Sequence, residues 1–292
     1  MYSLNNIPFS NYGITPGRAE ASNIAVSGFM DMPERIGKTF HDWTGEPGVE
    51  PYVLASEIRH GGRSISFTGL MEGNPESFYR EIDSYKNLVP LVTPWSNHQV
   101  FIQDKIEIEK LQAGWNKISI KFEEPIVPNS GIAPPSEAGG LDKPHIDGVA
   151  LETLGMFLSG FKDHLNRAKT KQQEFTAYEN PGYQITPPEA LEFELDLVAY
   201  ATSFEALKGN IQSLHKLLSM PGMRKIKVDS SLREVFNVGG FKVSNIKVTT
   251  GFAVCRITLP LMQSKPAPLQ TGYLLDNNYN NIVSNLEELI QI

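Results

Sequence analysis

Polar and apolar residues alternate along Ser64-Ile65-Ser66-Phe67-Thr68-Gly69-Leu70, the period-two pattern of a strand with one buried face. Gly73-Asn74-Pro75-Glu76 breaks it. Over residues 77–88 the apolar residues Phe78, Ile82, Tyr85 and Leu88 then recur at spacings of four and three. That spacing predicts an amphipathic helix, with Pro75 and Glu76 in its first turn and Pro90 preventing much continuation. Three short strands are expected next, at 99–102, 105–109 and 116–122, with turns at Asp104 and at Ala113-Gly114.

The same order then recurs. Phe193-Glu194-Leu195-Asp196-Leu197 alternates, and Leu207, Ile211, Leu214 and Leu218 form one stripe of a helix over 204–218. Pro221-Gly222 stops that helix, because proline lacks the N–H and glycine accepts positive φ. Strands are expected at 225–228, 240–248 and 252–259. The openings match as well: Ile7-Pro8-Phe9-Ser10-Asn11-Tyr12-Gly13-Ile14 answers Val149-Ala150-Leu151-Glu152-Thr153-Leu154-Gly155-Met156 at an offset of 142 (155 minus 13). Ile82 answers Ile211 and Ile120 answers Ile257 at offsets of 129 and 137 (211 minus 82 and 257 minus 120), a drift that loop insertions and deletions produce. The expected fold class is therefore mainly β with some α (α+β). It comprises two tandem β-sandwich domains, each with one packed helix, plus a C-terminal amphipathic helix.

The expected boundaries are a first domain with an N-terminal arm at 1–127, a Pro/Gly linker at 128–143, a second domain at 144–262 and a tail at 263–292. Within the arm, residues 12–51 show little periodicity, yet Met30, Met32, Ile36, Phe40 and Trp43 are too apolar for a free loop. An extended arm covering a neighbour explains both facts. In the tail, Ile282, Val283, Leu286, Leu289 and Ile290 are spaced for an amphipathic helix, and a helix that short needs a docking partner. Phe40, Trp43, Ile282, Val283, Leu286, Leu289 and Ile290 are thus the candidate subunit-interface residues.

Length and composition narrow the function classes. A chain of 292 residues fits two domains of ~100–150 residues. A formal net charge of −7 argues against a protein built to grip phosphate backbones. It remains compatible with a surface past which DNA slides. Cys255 stands alone in an apolar strand and reads as a buried structural thiol, so no intrachain disulfide forms. The N-terminus lacks the pattern of a signal peptide, and no run approaches the ~20 apolar residues of a membrane span, so synthesis and folding in the cytoplasm are expected.

Candidate chemistry is sparse. The phosphate loop, the dinucleotide fingerprint and the zinc-protease helix motif are all missing from the sequence. His41, His60, His98, His145, His164 and His215 lack ligand spacing, so no metal, no cofactor and no catalytic residue are expected. Glu123-Glu124 would point to opposite faces of a strand end, which reads as a solvated terminus. His60-Gly61-Gly62-Arg63 reads as a strand-to-strand turn, with an anion nest as the alternative. Trp43, Trp95 and Trp115 read as core or interface packing, with a sugar-stacking platform as the alternative.

The opening Leu4-Asn5-Asn6-Ile7-Pro8-Phe9-Ser10-Asn11-Tyr12-Gly13 resembles the start of distal tail proteins of long-tailed bacteriophages. The later order is similar too: an arm with scattered aromatics, the strand around Phe67, a helix, a span with Pro90, Pro94 and Trp95, and strands closing at Glu124-Pro125. The resemblance covers residues 1 to 126, and 146 to 262 by way of the repeat. It implies a tail-tube fold, a β-sandwich with a helix whose sheets join neighbours in a ring around a DNA channel at the distal tail, baseplate or tail hub. Relatives usually form six-subunit rings and carry a different, peripheral second domain. Two tube-like halves per chain leave open a trimeric pseudo-six-fold ring or a hexamer.

The expected function is a non-enzymatic virion structural protein that joins tube to tip, assembled in the host bacterial cytoplasm, with other tail-tube and tail-tip proteins as partners. DNA would pass without specific binding, and Asp104, Glu107 and Glu109 are candidates for an acidic lining. The alternatives are a carbohydrate-binding module of a host-recognition device, a major tail-tube protein, and a polysaccharide hydrolase, which needs two carboxylates facing across a cleft.

Overall fold

The computed structural model describes residues 1–264 except positions 20, 38, 44, 52–53, 55–56, 129–131, 137–141, 172–173, 178–179, 184–186 and 229–231. The candidate tail helix, with Ile282, Val283, Leu286, Leu289 and Ile290, lies outside the described residues.

Among the described residues the chain is mainly β with two α-helices, and most strands belong to two large antiparallel sheets, with three two-stranded pairs beside them. In the first half the strands are β1 (Ser3–Leu4), β2 (Ile7–Pro8), β3 (Ile14–Pro16), β4 (Val26–Ser27), β5 (Arg63–Glu72), β6 (Val89–Val92), β7 (Asn97–Lys110) and β8 (Trp115–Glu124). The helix α1 (Glu76–Ser84) stands between β5 and β6. In the second half they are β9 (His145–Ile146), β10 (Val149–Ala150), β11 (Met156–Lys162), β12 (Leu191–Ala201), β13 (Arg224–Lys227), β14 (Leu232–Phe236), β15 (Lys242–Thr249) and β16 (Phe252–Gln263), with α2 (Phe204–Ser219) between β12 and β13.

The sheets have matching strand orders. The first runs β2-β1-β6-β7-β8-β5-β3 with β4 also on β5, and the second runs β10-β9-β13-β14-β16-β12-β11 with β15 also on β16. Matching extends to single residues. Leu4 sits opposite both Ile7 and Leu91, as Ile146 sits opposite both Val149 and Ile226. A short 3-10 turn follows each opening hairpin and ends on a left-handed glycine, Gly13 (φ 68, ψ 20) or Gly155 (φ 63, ψ 28).

Strand alternation sets the layers. Ile65, Phe67 and Met71 of β5 and Ile118, Ile120 and Phe122 of β8 are buried, and Phe9 lies between Phe67 (4.5 Å) and Phe78 of α1 (6.2 Å), where Ile82 is buried too. Phe193, Leu195 and Leu197 of β12 and Cys255, Ile257 and Leu259 of β16 are buried likewise, as are Leu207, Ile211 and Leu214 of α2. The opposite faces stay open and carry Ser64, Thr68, Lys117 and Lys121 in one sheet and Glu194, Asp196, Arg256 and Thr258 in the other.

Several expected boundaries change. The predicted strands 99–102 and 105–109 are one strand, β7, with a register shift between Ile102 and Ile106 where a turn at Asp104 was expected. A bulge absorbs extra residues without ending the pairing. The helix α1 ends at Ser84, and Tyr85 is already extended (φ −80, ψ 107) with its hydroxyl on Glu81. The Tyr85 and Leu88 spacing therefore belongs to a connection. β6, β11 and β14 carry no clean alternation in the sequence.

Candidate functional site

The two halves meet along the arm. On one side Val26 and Ser27 pair with Phe67 and Ser66 of β5. On the other the arm runs antiparallel to β15: Met32 and Phe241 form a two-way backbone bridge, with Met32 N donating to Phe241 O at 3.0 Å and Phe241 N to Met32 O at 3.2 Å. Short polar side chains satisfy the rest of that edge. Val243 N donates to Asp31 Oδ1 (2.8 Å), Ile246 N to Ser22 Oγ (3.0 Å) and Val248 N to Asn23 Oδ1 (2.8 Å), while Asn23 Nδ2 donates to Val248 O (2.7 Å). Buried backbone groups need such partners, so Ser22, Asn23 and Asp31 stand in for strand backbone where β15 bulges between Ser244 and Lys247.

Two glycines admit the arm. A Cβ on Gly28 would lie 2.1 Å from Ser64 O of β5, and one on Gly240 would lie 1.9 Å from Met32 O. Both have φ in the left-handed region, +81° and +70°, so glycine is required there twice over. Arg35 continues the contact, donating from its backbone to Val238 O (2.8 Å) and from its guanidinium to Leu218 O (2.9 Å) at the end of α2. A cation there satisfies a carbonyl that the helix leaves unpaired.

A second contact joins the start of α2 to the turn between β6 and β7. Trp95 packs on Phe204 at 4.8 Å between ring centroids and stacks with Phe29 at 6.5 Å. Lys208 Nζ donates to Trp95 O at 2.7 Å. Beside it lies a cleft of ≈ 180 Å³ whose walls include Arg63, Ser96, His98, Glu124, Lys208 and His215.

A chain of polar side chains runs along this cleft. Ser96 Oγ lies 2.7 Å from His98 Nε2, His98 Nδ1 lies 3.0 Å from Glu124 Oε1, and Arg63 Nε donates to Glu124 Oε2 at 2.6 Å. Burial pushes the Glu124 carboxyl up, but the hydrogen bond from His98 and the Arg63 charge outweigh it, leaving it below the usual range. Glu124 is 2% exposed, which corrects the expectation of a solvated strand end; Glu123, on the opposite face, is exposed.

The serine–histidine–carboxylate order matches that of hydrolase triads, and each end of it has further partners. Arg63 occupies the second carboxylate oxygen and also donates to Asp31 O (3.2 Å). Ser96 Oγ is held 3.1 Å from Thr93 Oγ1 inside its own turn. The chain thereby ties β5, β7, β8 and the arm together.

Beside these groups the half-buried His60 and the buried His215 meet edge to face at 5.6 Å. Burial, then neighbouring cations, holds both below the usual histidine range, His215 at about 3. His41 packs tilted against Trp43, His164 stacks on Phe161, and His145 accepts from Gly148 N. Among the described residues no three His, Cys, Asp or Glu side chains gather into a group that could hold a metal ion, and no helix is long and apolar enough to cross a membrane.

The other singled-out residues fall as follows. Phe40 packs on Phe236 of the second half at 5.7 Å. Trp43 is half exposed, its indole N–H on Glu50. Trp95 lies at the junction of the halves and Trp115 at the start of β8, so the tryptophans do not form one platform. Glu107 and Glu109 are exposed on the open face of the first sheet, opposite Ser119 and Lys117; the Asp104 side chain lies outside what is described. His60-Gly61-Gly62-Arg63 links two strands, with Gly61 N donating to Glu34 O (2.9 Å). Cys255 is buried, its thiol pushed up to about 12 by burial.

Besides the two-residue strands β2 and β10 at the sheet ends, two longer edges lack a strand partner among the described residues. β6 covers β7 only over Asn97 to Val100, which leaves residues 101–110 with β8 alone. β11 ends the second sheet, paired to β12 alone. Compared with known proteins, the sequence matches no family model, and no curated protein is significantly similar to it.

Proposed function

We propose that the chain is a structural subunit of a phage or prophage-derived tail, whose copies close into a ring around a DNA channel at the distal tail or tail hub and join tube to tip. The observation that carries this reading is the internal junction. One chain sets two sheets of matching strand order side by side and covers the edge between them with its own arm. Repeating that step around an axis makes a ring, and closure removes the open edges that sheet proteins otherwise have to protect. The likeness of residues 4–13 to distal tail proteins supplies the tail context.

The open faces suit a channel that DNA crosses without being held. Ser64, Ser66, Thr68 and Ser119 mix with Lys117, Glu107 and Glu109 in the first sheet, while Lys162 is neutralised by Glu194 (2.7 Å) and Asp196 (3.0 Å) in the second. Mixed charge with a net negative chain gives no strong hold on phosphates.

The test is electron microscopy of the purified protein with mass by light scattering at several concentrations. Closed rings of three or six chains are the expected result. A compact monomer at high concentration would overturn the reading.

A further inference from the structure

We propose that the open side of β7, residues 101–110, receives the open side of β11 from a second copy of this chain, running antiparallel. The proposal rests on the ring reading and adds which edges meet.

The chain holds one worked example of this junction. Its giving side is the outer margin of β5 with the arm on it, together with the aromatic turn between β6 and β7. Its receiving side is the outer margin of β15 together with the start of α2. Because the halves share one strand order, each owns both kinds of side, and the internal junction uses one from each. The second half keeps a giving side: β11 beyond β12, with Leu232 at the start of β14. The first half keeps a receiving side: the far part of β7, which pairs with β8 as β15 pairs with β16, and α1.

The surface chemistry fits this assignment. Large apolar side chains stand exposed on both leftover sides: Tyr79 (50%) on α1 and Phe101 (41%) on β7, against Phe157 (54%) on β11 and Leu232 (58%) at the start of β14. In the internal junction Lys208, at the place of Tyr79 in the repeat, meets Trp95 together with Phe204. The antiparallel sense follows from the Met32–Phe241 bridge. One difference is expected. The first half divides its giving margin between β3 and β4, so Ser22, Asn23 and Asp31 cap β15 by side chains. β11 runs as a single strand from Met156 to Lys162, bulged between Leu158 and Gly160, and would pair backbone to backbone on either side of the bulge.

The full chain carrying Glu109→Cys and Ser159→Cys, both exposed positions, tests the pairing by cross-linking with a short bismaleimide; Cys255 is buried and stays silent. Covalent oligomers from the double variant, and none beyond a dimer from either single variant, are expected. Phe157→Lys on the open surface should raise the concentration needed for assembly roughly tenfold or more without changing the melting profile, since charge on an open edge blocks strand addition. Closed rings with no cross-link and no effect of Phe157→Lys would overturn this pairing and leave the ring reading standing. Cross-linked open chains would keep the pairing and overturn the ring. A concentrated monomer would overturn both.

Discussion

Gly240 shows how closely the arm fits: any side chain there would have to occupy the place of Met32 O. Gly240→Ala should therefore cost about 2 kcal/mol or more, from positive φ and displacement of the arm. A lowered melting temperature with new protease cleavage between residues 22 and 35 would show it. An unchanged melt would mean that the arm does not hold this position. Nothing around Gly239-Gly240 in the sequence distinguishes this need from an ordinary turn, because the clashing atom lies some two hundred positions away. Cys255 was legible, since a lone thiol in an alternating strand has one natural place. Glu124 was not: its burial depends on His98 and Arg63, which are distant in sequence and carry no local signature.

Buried titratable groups at the junction give opposing pH effects. Folding holds His60 and His215 below the ordinary histidine value of ~6.5, near which the unfolded chain takes up protons. Their contribution to stability is thus complete above about pH 6.5 and is lost progressively as pH falls toward about 3, the value for His215. Arg35, Arg63 and Lys216 face them and add to the effect. Asp31 has the other sign. Burial raises its carboxyl to about 6 against the pull of Val243 N–H, Lys242 and Arg63. The stability its protonated form contributes is present below its ordinary range and is lost as pH rises through about 6. Denaturant midpoints measured from pH 4 to 8 should show His215→Phe reducing the acid loss, with His60 retaining its share, and Asp31→Asn removing the loss near pH 6. Identical profiles for wild type and both variants would mean that these groups are not buried as described.

At the scale of elements, the longer helix was the more legible. Ser203 caps α2 by accepting from Ala206 N at 3.1 Å, and Leu207, Ile211, Leu214 and Leu218 keep one stripe to its end. α1 has Pro75 at its cap with no side-chain bond and ends a turn earlier than its apolar spacing suggests, because that spacing continues into Tyr85 and Leu88 of the connection. Leu214 is fully buried against the second sheet, so Leu214→Asp should remove about 4 kcal/mol or more. Circular dichroism melting would reveal it, and an unchanged midpoint would mean that the stripe does not face the core. The missed strands share one cause. β6, β11 and β14 are short or interrupted, by Pro90, Gly160 or a buried run, and acquire strand geometry from neighbours that period-two reading does not see.

Across the whole molecule the arm was only half legible. Its apolar residues signalled that it covers something, but pairing through Ser22, Asn23 and Asp31 leaves no periodicity to say that the partner is the second half of the same chain. That partnership has a thermodynamic consequence. Phe29, Met30, Met32, Phe204, Leu214 and Phe241 belong to one continuous buried cluster spanning both halves, so each half completes the core of the other. Scanning calorimetry of the full chain, at a concentration where it is monomeric, should give one cooperative transition whose calorimetric and van't Hoff enthalpies agree. Trp95→Ala removes the indole that Phe204 and Phe29 pack on, at a cost of roughly 3–5 kcal/mol, and Met32→Ala thins the arm's contact with Phe241. Together they should split the transition into two, because each sheet keeps its own helix while the coupling between them is lost. Two transitions in the unaltered chain would mean that the halves fold independently and that the arm is a tether, in which case the internal junction would be too soft to act as the template for a ring.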